Sequence, residues 1–274
     1  MDIKLKDQID FYNEFKECYF KIIDDFQFNY REDCRARDYL SSIFYKKPIE
    51  WKLENVLHLF REKIISRLSI LVYGCGPSLE KTVNALIKKK GVKLFENFIN
   101  LAADGASILL KEKKIKIDAI ITDLDGITKQ EFKYTDFVIV HAHGNNIENL
   151  KFFSKQILDF KNIIGTTQVK PVPNLINPGG FTDGDRILYF IRSLLNPFQK
   201  VYLIGMDFGE IIGKYSKLTI KTNQKANQIK IKKLNYAIKL IKWIEKAFKN
   251  EIYFVNSNYL TENFKNLSIE EFLK

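Results

Sequence analysis

From residue 68 onward the chain is punctuated by seven short apolar runs, each closing on a polar or glycine-rich turn. They are LSILVY (68–73), FINLAA (98–103), DAIIT (118–122), FVIVHA (137–142), NIIGTT (162–167), VYLIGM (201–206) and IYFVN (252–256). Their apolar positions are continuous rather than alternating, the pattern of strands covered on both faces. Between them, residues 78–90, 146–159, 183–195 and 227–249 carry apolar positions at helical spacing. Strands alternating with helices predict an α/β fold, a Rossmann-like, mostly parallel sheet with helices on both faces.

The opening residues follow a different period. Phe11, Phe15, Cys18, Ile22, Ile23 and Phe26 recur at helical spacing, and further helices are predicted over 32–44 and 50–66. An N-terminal helical segment over 1–66 is therefore expected ahead of a catalytic domain over 67–274. Two stretches lack a period. The Pro/Gly-rich loop 168–180 is too short for a domain linker, and 208–226 reads as a mobile lid or an excursion from the core.

Composition narrows the class. A chain of 274 residues with 46% hydrophobic and 14% aromatic content can bury one substantial core. No apolar run approaches the roughly 18–20 residues of a membrane span, and the acidic start lacks the apolar region of a secretory signal. Cys18, Cys34 and Cys75 are odd in number and scattered, which suits a reducing cytoplasm better than a disulfide framework or a zinc site. The net charge of +11 raises nucleic-acid binding. The lysines, however, lie mainly along 78–90 and 225–249 among apolar residues, as a solvated helix face would have them, with no arginine-rich stripe or stacking platform. An anionic small substrate is the expected partner. Homo-oligomer formation is left open.

The candidate chemistry is gathered in the turns that follow the strands, where open α/β sheets bind ligands. Gly74-Cys75-Gly76-Pro77-Ser78 reads either as a phosphate-binding turn, with free amides at the start of the next helix, or as a tight turn without a ligand. Asp123-Leu124-Asp125-Gly126 places two carboxylates one residue apart after a buried strand. Such a pair repels itself unless a cation or proton intervenes, and hard oxygens without His or Cys suit Mg²⁺. Asp104, beside Gly105 on the neighbouring strand end, can supply a third oxygen. His141 and His143 share one side of an extended segment, and phosphate contact or general-base duty suits them better than zinc. Gly179 and Gly180 leave room for a flat ligand or a phosphate chain. Thr182 or Asp183 can cap the helix that follows, and Arg186 lies about one turn in, as a phosphate clamp. Asp207 closes a later strand between Gly205 and Gly209.

Taken in order, GCGPSL (74–79), ADGA (103–106), TDLDG (122–126), HAHGNN (141–146), GGFTDGDR (179–186) and GMDFG (205–209) resemble the archaeal 6-hydroxymethyl-7,8-dihydropterin diphosphokinase family. The prefix around Arg31, Asp33, Arg35, Arg37 and Asp38 is similar to that family's start, so the resemblance spans most of the chain. It implies Mg²⁺-dependent transfer of diphosphate from ATP to a reduced pterin, with release of AMP, in tetrahydromethanopterin or folate-type synthesis. It also implies Asp123 and Asp125 on the metal with Asp104 beside them, and Gly74, Gly76 and Ser78 along the nucleotide. Arg186 would face the transferring phosphates, His141 or His143 the hydroxyl, and Asp183 or Asp207 the pterin edge. Asn145 departs from the family pattern, which has aspartate there. ADGA with TDLDG also resembles thiamine diphosphokinases, and the G-x-G-P-S-L start resembles domains of surface-glycosylation glycosyltransferases, so thiamine and a sugar nucleotide stand as alternative substrates.

Overall fold

The computed structural model describes residues 4–257 and 264–274. The helical opening comprises α1 (Leu5–Ile9), α2 (Tyr12–Phe26), α3 (Tyr30–Tyr45) and α4 (Leu53–Ile65). Strand and helix then alternate through β1 (Ser69–Tyr73), α5 (Leu79–Lys90), β2 (Ile99–Ala103), α6 (Ala106–Glu112), β3 (Ile117–Thr122) and β4 (Thr135–Ala142). Next come α7 (Ile147–Phe152), α8 (Ser154–Asp159), β5 (Ile163–Thr167), α9 (Asp183–Ile191) and β6 (Lys200–Ile204). The chain ends through a small hairpin, β7 (Ile211–Ile212) and β8 (Gln224–Lys225), followed by α10 (Gln228–Ala247), β9 (Ile252–Val255), β10 (Asn266–Leu267) and α11 (Ile269–Phe272).

Eight strands form one sheet in the order β10-β9-β6-β1-β2-β3-β4-β5, and every pairing in it is parallel. The α/β expectation holds. The apolar runs lie buried because both faces are covered. Ile70 and Val72 join a core layer with α2, α4, α9 and α10, while Leu71 and Tyr73 join the opposite layer with α3, α5 and α6. The opening helices are divided between these layers: α1, α2 and α4 pack on one side, α3 on the other. The chain runs outward from β1 to β5 and then returns to place β6 on the other side of β1. That reversal opens a crevice beyond the carboxyl ends of β1 and β6.

Three local expectations change. The helix predicted over 146–159 breaks at Phe153, which lets Leu150, Phe153 and Ile157 all be buried. The short helix α6 and the pair β10 and α11 carry too few turns to show a period. The aperiodic stretch 208–226 is the β7–β8 hairpin with a 3₁₀ turn at Lys214–Ser216, folded back over the sheet edge. Ser216 Oγ donates to the Cys75 carbonyl at 3.2 Å, and Asn223 Nδ2 to that of Pro77 at 3.4 Å.

Candidate active site

A cavity of about 600 Å³ lies over the carboxyl ends of β1, β2, β3, β4 and β6. Its acidic wall is built by two turns. Asp104 follows β2 in a left-handed conformation (φ 45°), and Leu124 between the two later aspartates is also left-handed (φ 72°). Strained backbone of this kind gathers at functional sites. Leu124 is buried while its neighbours Asp123 and Asp125 face the cavity, so one apolar anchor splays two carboxylates outward. Oxygens of Asp104, Asp123 and Asp125 lie within 4.8 Å of one another, close enough for one cation. Gly126 is required by contact rather than by its own turn, because a Cβ there would collide with the Asp104 carboxylate.

The charges are poorly neutralised. Burial, followed by the charges of Asp123, Asp183 and Asp125, pushes Asp104 well above the ordinary carboxylate range. Asp125 is raised by burial and by Asp123. Asp183, at the first position of α9, is raised well above its usual value by burial and by Asp123. Asp123 differs. Burial alone would raise it, but a hydrogen bond and charge from His143, the Asp125 amide and the nearby Arg186 hold its carboxyl down to about 2. The His143 Nε2 to Asp123 Oδ2 distance is 3.1 Å. Asn146 ties this turn to β4, since its Nδ2 donates to the carbonyls of Asp123 (2.8 Å) and His141 (2.7 Å).

Cations line the same cavity. Lys217 of the hairpin stands 3.5 Å from Asp125, and Lys230 and Lys233 of α10 line the cavity. Lys233 is lowered by burial and by the neighbouring charge of Lys230. These two lysines correct the reading of α10 as a wholly solvated basic face. Arg186 is buried, donates to the carbonyls of Gly180 (3.3 Å) and Phe181 (2.9 Å), and keeps an unpartnered Nε. Burial lowers its pKa despite Asp183 and Asp185 beside it.

The turn after β1 is also corrected. Its amides are engaged within the protein: Gly74 donates to Ile204 O, Gly76 to Gly205 O, Ser78 to Asp207 Oδ2 (2.7 Å) and Leu79 to Gly76 O. Ser78 Oγ gives a second bond to Asp207 Oδ1 at 2.9 Å. The Ser78 amide and hydroxyl are therefore already taken and not free for a phosphate. Gly74 and Gly76 line the cavity because the turn after β6 presses on them, and a Cβ on Gly74 would lie 2.7 Å from Gly205 O. Pro77 and Ser78 lie outside the lining. Asp207 acts as a staple between the two turns, which separates it from the open carboxyl of Asp183.

Gly105, Gly179 and Gly180 also lie outside the lining. Gly105 sits beneath the Tyr215 carbonyl, and Gly179 packs on the Tyr189 ring and Gly180 on the Arg186 backbone. No room for a ligand is left beside them. Thr182 caps α9 through a capping box with Asp185, and Thr182 and Asp183 both face the cavity. Asn145 is exposed on the cavity rim.

Several lining residues escape a reading that treats the opening helices as an appendage. Phe28, Asn29, Glu32 and Asp33, around the start of α3, close one end of the cavity. Of the five charged prefix residues singled out by resemblance, Asp33 alone lines the cavity, while Arg35 pairs with Glu32 and Arg37 with Asp38. An aspartate among apolar helix positions was the available signal.

Comparison with known proteins follows the same lines. Residues 45–213 match the family described as 6-hydroxymethylpterin diphosphokinase MptE-like. Proteins named 6-hydroxymethyl-7,8-dihydropterin pyrophosphokinase are similar over nearly their whole length. The Pyrococcus furiosus protein is 32% identical over 85% of this chain and 94% of its own, and the Methanocaldococcus jannaschii protein 35% identical over 87% and 97%. The chain belongs to the MptE-like family. The Methanothermobacter thermautotrophicus member is 34% identical over 83% of this chain and 92% of its own. Among solved structures, the MAf glycosyltransferase from Magnetospirillum magneticum AMB-1 overlaps 75% of this chain and 34% of its own at TM-score 0.43 and 13% identity, too slight a likeness to bear on function. No helix among the described residues is long and apolar enough to cross a membrane.

Proposed function

We propose that this MptE-like protein transfers the diphosphate of ATP to the hydroxymethyl group of 6-hydroxymethyl-7,8-dihydropterin, with Mg²⁺, as a step in reduced-pterin synthesis. The observation that carries this reading is the convergence of Asp104, Asp123 and Asp125 with Lys217, Lys230 and Lys233 within one cavity. Its support also includes the names borne by the similar proteins. A group of three carboxylates with no His or Cys among its members fits a hard cation. Asp123 and Asp125, with Asp104 beside them, would hold Mg²⁺, which when bound would offset the charge of the triphosphate.

The remaining work falls to the chain's own cations and to positioning. Lys217, Lys230 and Lys233 bind phosphate oxygens within the cavity. Arg186 offers its unpartnered Nε from a buried position, where a charged hydrogen bond is stronger than in water. His143 holds Asp123 in orientation through Nε2. The acceptor hydroxyl oxygen attacks the β-phosphorus, a new O–P bond forms, and the bond from that phosphorus to the α–β bridging oxygen breaks. AMP leaves and the hydroxyl proton is released.

The test is incubation of the protein with ATP, Mg²⁺ and either the pterin or thiamine, following AMP. AMP release that depends on the pterin is expected. Release with thiamine alone would move the chain's acceptor to thiamine, and no release with either would end the reading.

A further inference from the structure

The two ends of the cavity differ in chemistry. Carboxylates and lysines dominate one. The other is walled by the start of α3 and by residues on and after β4 and β5, where the polar groups are buried and locked. Asp33 is 3% exposed and accepts the Gly144 amide at 2.6 Å, the Gln168 amide at 2.9 Å and the Tyr19 hydroxyl. His141 is 1% exposed. His141 Nδ1 lies 3.0 Å from the Thr166 hydroxyl, which also reaches Val140 O at 3.3 Å; when the hydroxyl donates to Val140 O, its oxygen takes the Nδ1 proton. In that Nδ1–H tautomer Nε2 is an acceptor, buried and without a hydrogen-bond partner. Burial, followed by the charges of Arg186 and His143, lowers the ring's pKa well below its ordinary value, against the Gln168 side chain, which acts to raise it. A buried acceptor in this state is complete only when a donor reaches it. Phe28 and Phe181, which line the same cavity, have rings 6.4 Å apart and form an aromatic wall.

We infer that this end is the acceptor subsite, where a flat heteroaromatic ring lies along Phe181 and gives a ring or exocyclic N–H to His141 Nε2, with Gln168 as a positioning residue. The inference rests on the diphosphokinase reading and names which end of that site takes the acceptor. A nucleotide base is also flat and carries N–H donors, but the distances favour the acceptor. The His141 ring is 6.0 Å from that of His143, whose Nε2 touches Asp123. So short a span suits a ring one carbon away from the attacking hydroxyl. A base is separated from its β-phosphorus by a ribose and a further phosphate.

Steady-state kinetics of the full-length protein, with ATP and 6-hydroxymethyl-7,8-dihydropterin varied in turn, tests this on His141→Phe, Gln168→Leu and Phe181→Ala. KM for the pterin is expected to rise about tenfold, the scale of one net hydrogen bond, with ATP KM within about twofold. A kcat that changes little would mark lost binding of ground and transition state alike, which damage to the fold or the metal site would not produce. A rise in ATP KM with pterin KM unchanged would assign this end to the nucleotide base and overturn the inference. Should His141→Phe fail to fold by circular dichroism, the other two variants decide, and wild-type pterin KM in both overturns it. If the wild-type protein releases no AMP with the pterin, the diphosphokinase reading itself falls and the subsite with it. A fully active wild type with unaffected variants removes the subsite alone.

Discussion

The two ends of β3 carry carboxylates in opposite states. Near its start, Asp118 is 3% exposed yet fully met: Lys63 Nζ lies 2.7 Å away, Lys116 flanks it, and the Asn100 amide donates at 2.7 Å. Lys63 also bridges to Asp136 at 3.0 Å, and its pKa is raised because hydrogen bonds and charge from both aspartates outweigh its burial. Just past the other end of the strand, Asp104, Asp123 and Asp125 crowd together with one lysine at 3.5 Å and one histidine. Burial cost is the same kind at both ends, but only the first end answers it within the protein. A paired buried acid holds a fold together, whereas a cluster left short of positive charge is built for something that arrives from outside.

Breaking that difference gives ordered expectations. The largest effect belongs to Asp123→Asn, which should lower turnover by about 10²–10³, the scale of losing one preorganised electrostatic stabiliser, while the chain still folds with a somewhat lower melt, because the depressed pKa of Asp123 contributes stability at neutral pH. A lost fold in that variant would make the two ends alike. Next, Lys63→Met strands Asp118 and should cost about 3 kcal/mol by urea titration, as broken buried pairs do, with turnover per folded molecule within about twofold. Third, Mg²⁺ at one hundred times its Kd should stabilise the wild type by about 2.7 kcal/mol, visible as a higher Tm. Asp123→Asn should show little of that rise, and an equal rise in both would place the cation elsewhere. The smallest effect concerns Asp104→Asn in chelator. The folded-state pKa of Asp104 lies above its unfolded value, so the native state holds the proton longer and stability falls as pH climbs past the ordinary carboxylate range. Removing the titrating group should flatten that fall and raise Tm by a few degrees at pH 7 (about 1 kcal/mol moves Tm by roughly 2–4 °C in chains of this size). A lower Tm would mean that its bond from Thr122 Oγ1 (2.6 Å) outweighs the repulsion.

Much of this was legible along the chain. The strands between 68 and 256 and the long helices are encoded locally, because a segment's apolar period depends on which faces it must bury. The acidic pair could be read for the same reason, since one intervening residue already brings Asp123 and Asp125 together. Ser78 could not. Its amide and hydroxyl look available for a phosphate until Asp207, five strands later, takes both. Lys230 and Lys233 share the composition of solvated helix lysines, and only the docking of α10 turns them inward.

By itself, then, the amino-acid order determined the alternation of buried strands and helices, the parallel sheet they imply, and the carboxylates one residue apart. Tertiary structure alone decided which turn amides were already taken, that the opening helices wall one end of the cavity with Asp33 and Phe28, and that His141 keeps an unanswered acceptor. The physical reason is range. Period and spacing act over a few residues, whereas the partner that satisfies or neutralises a polar group lies wherever the crossovers of the sheet deliver it, often more than a hundred residues away.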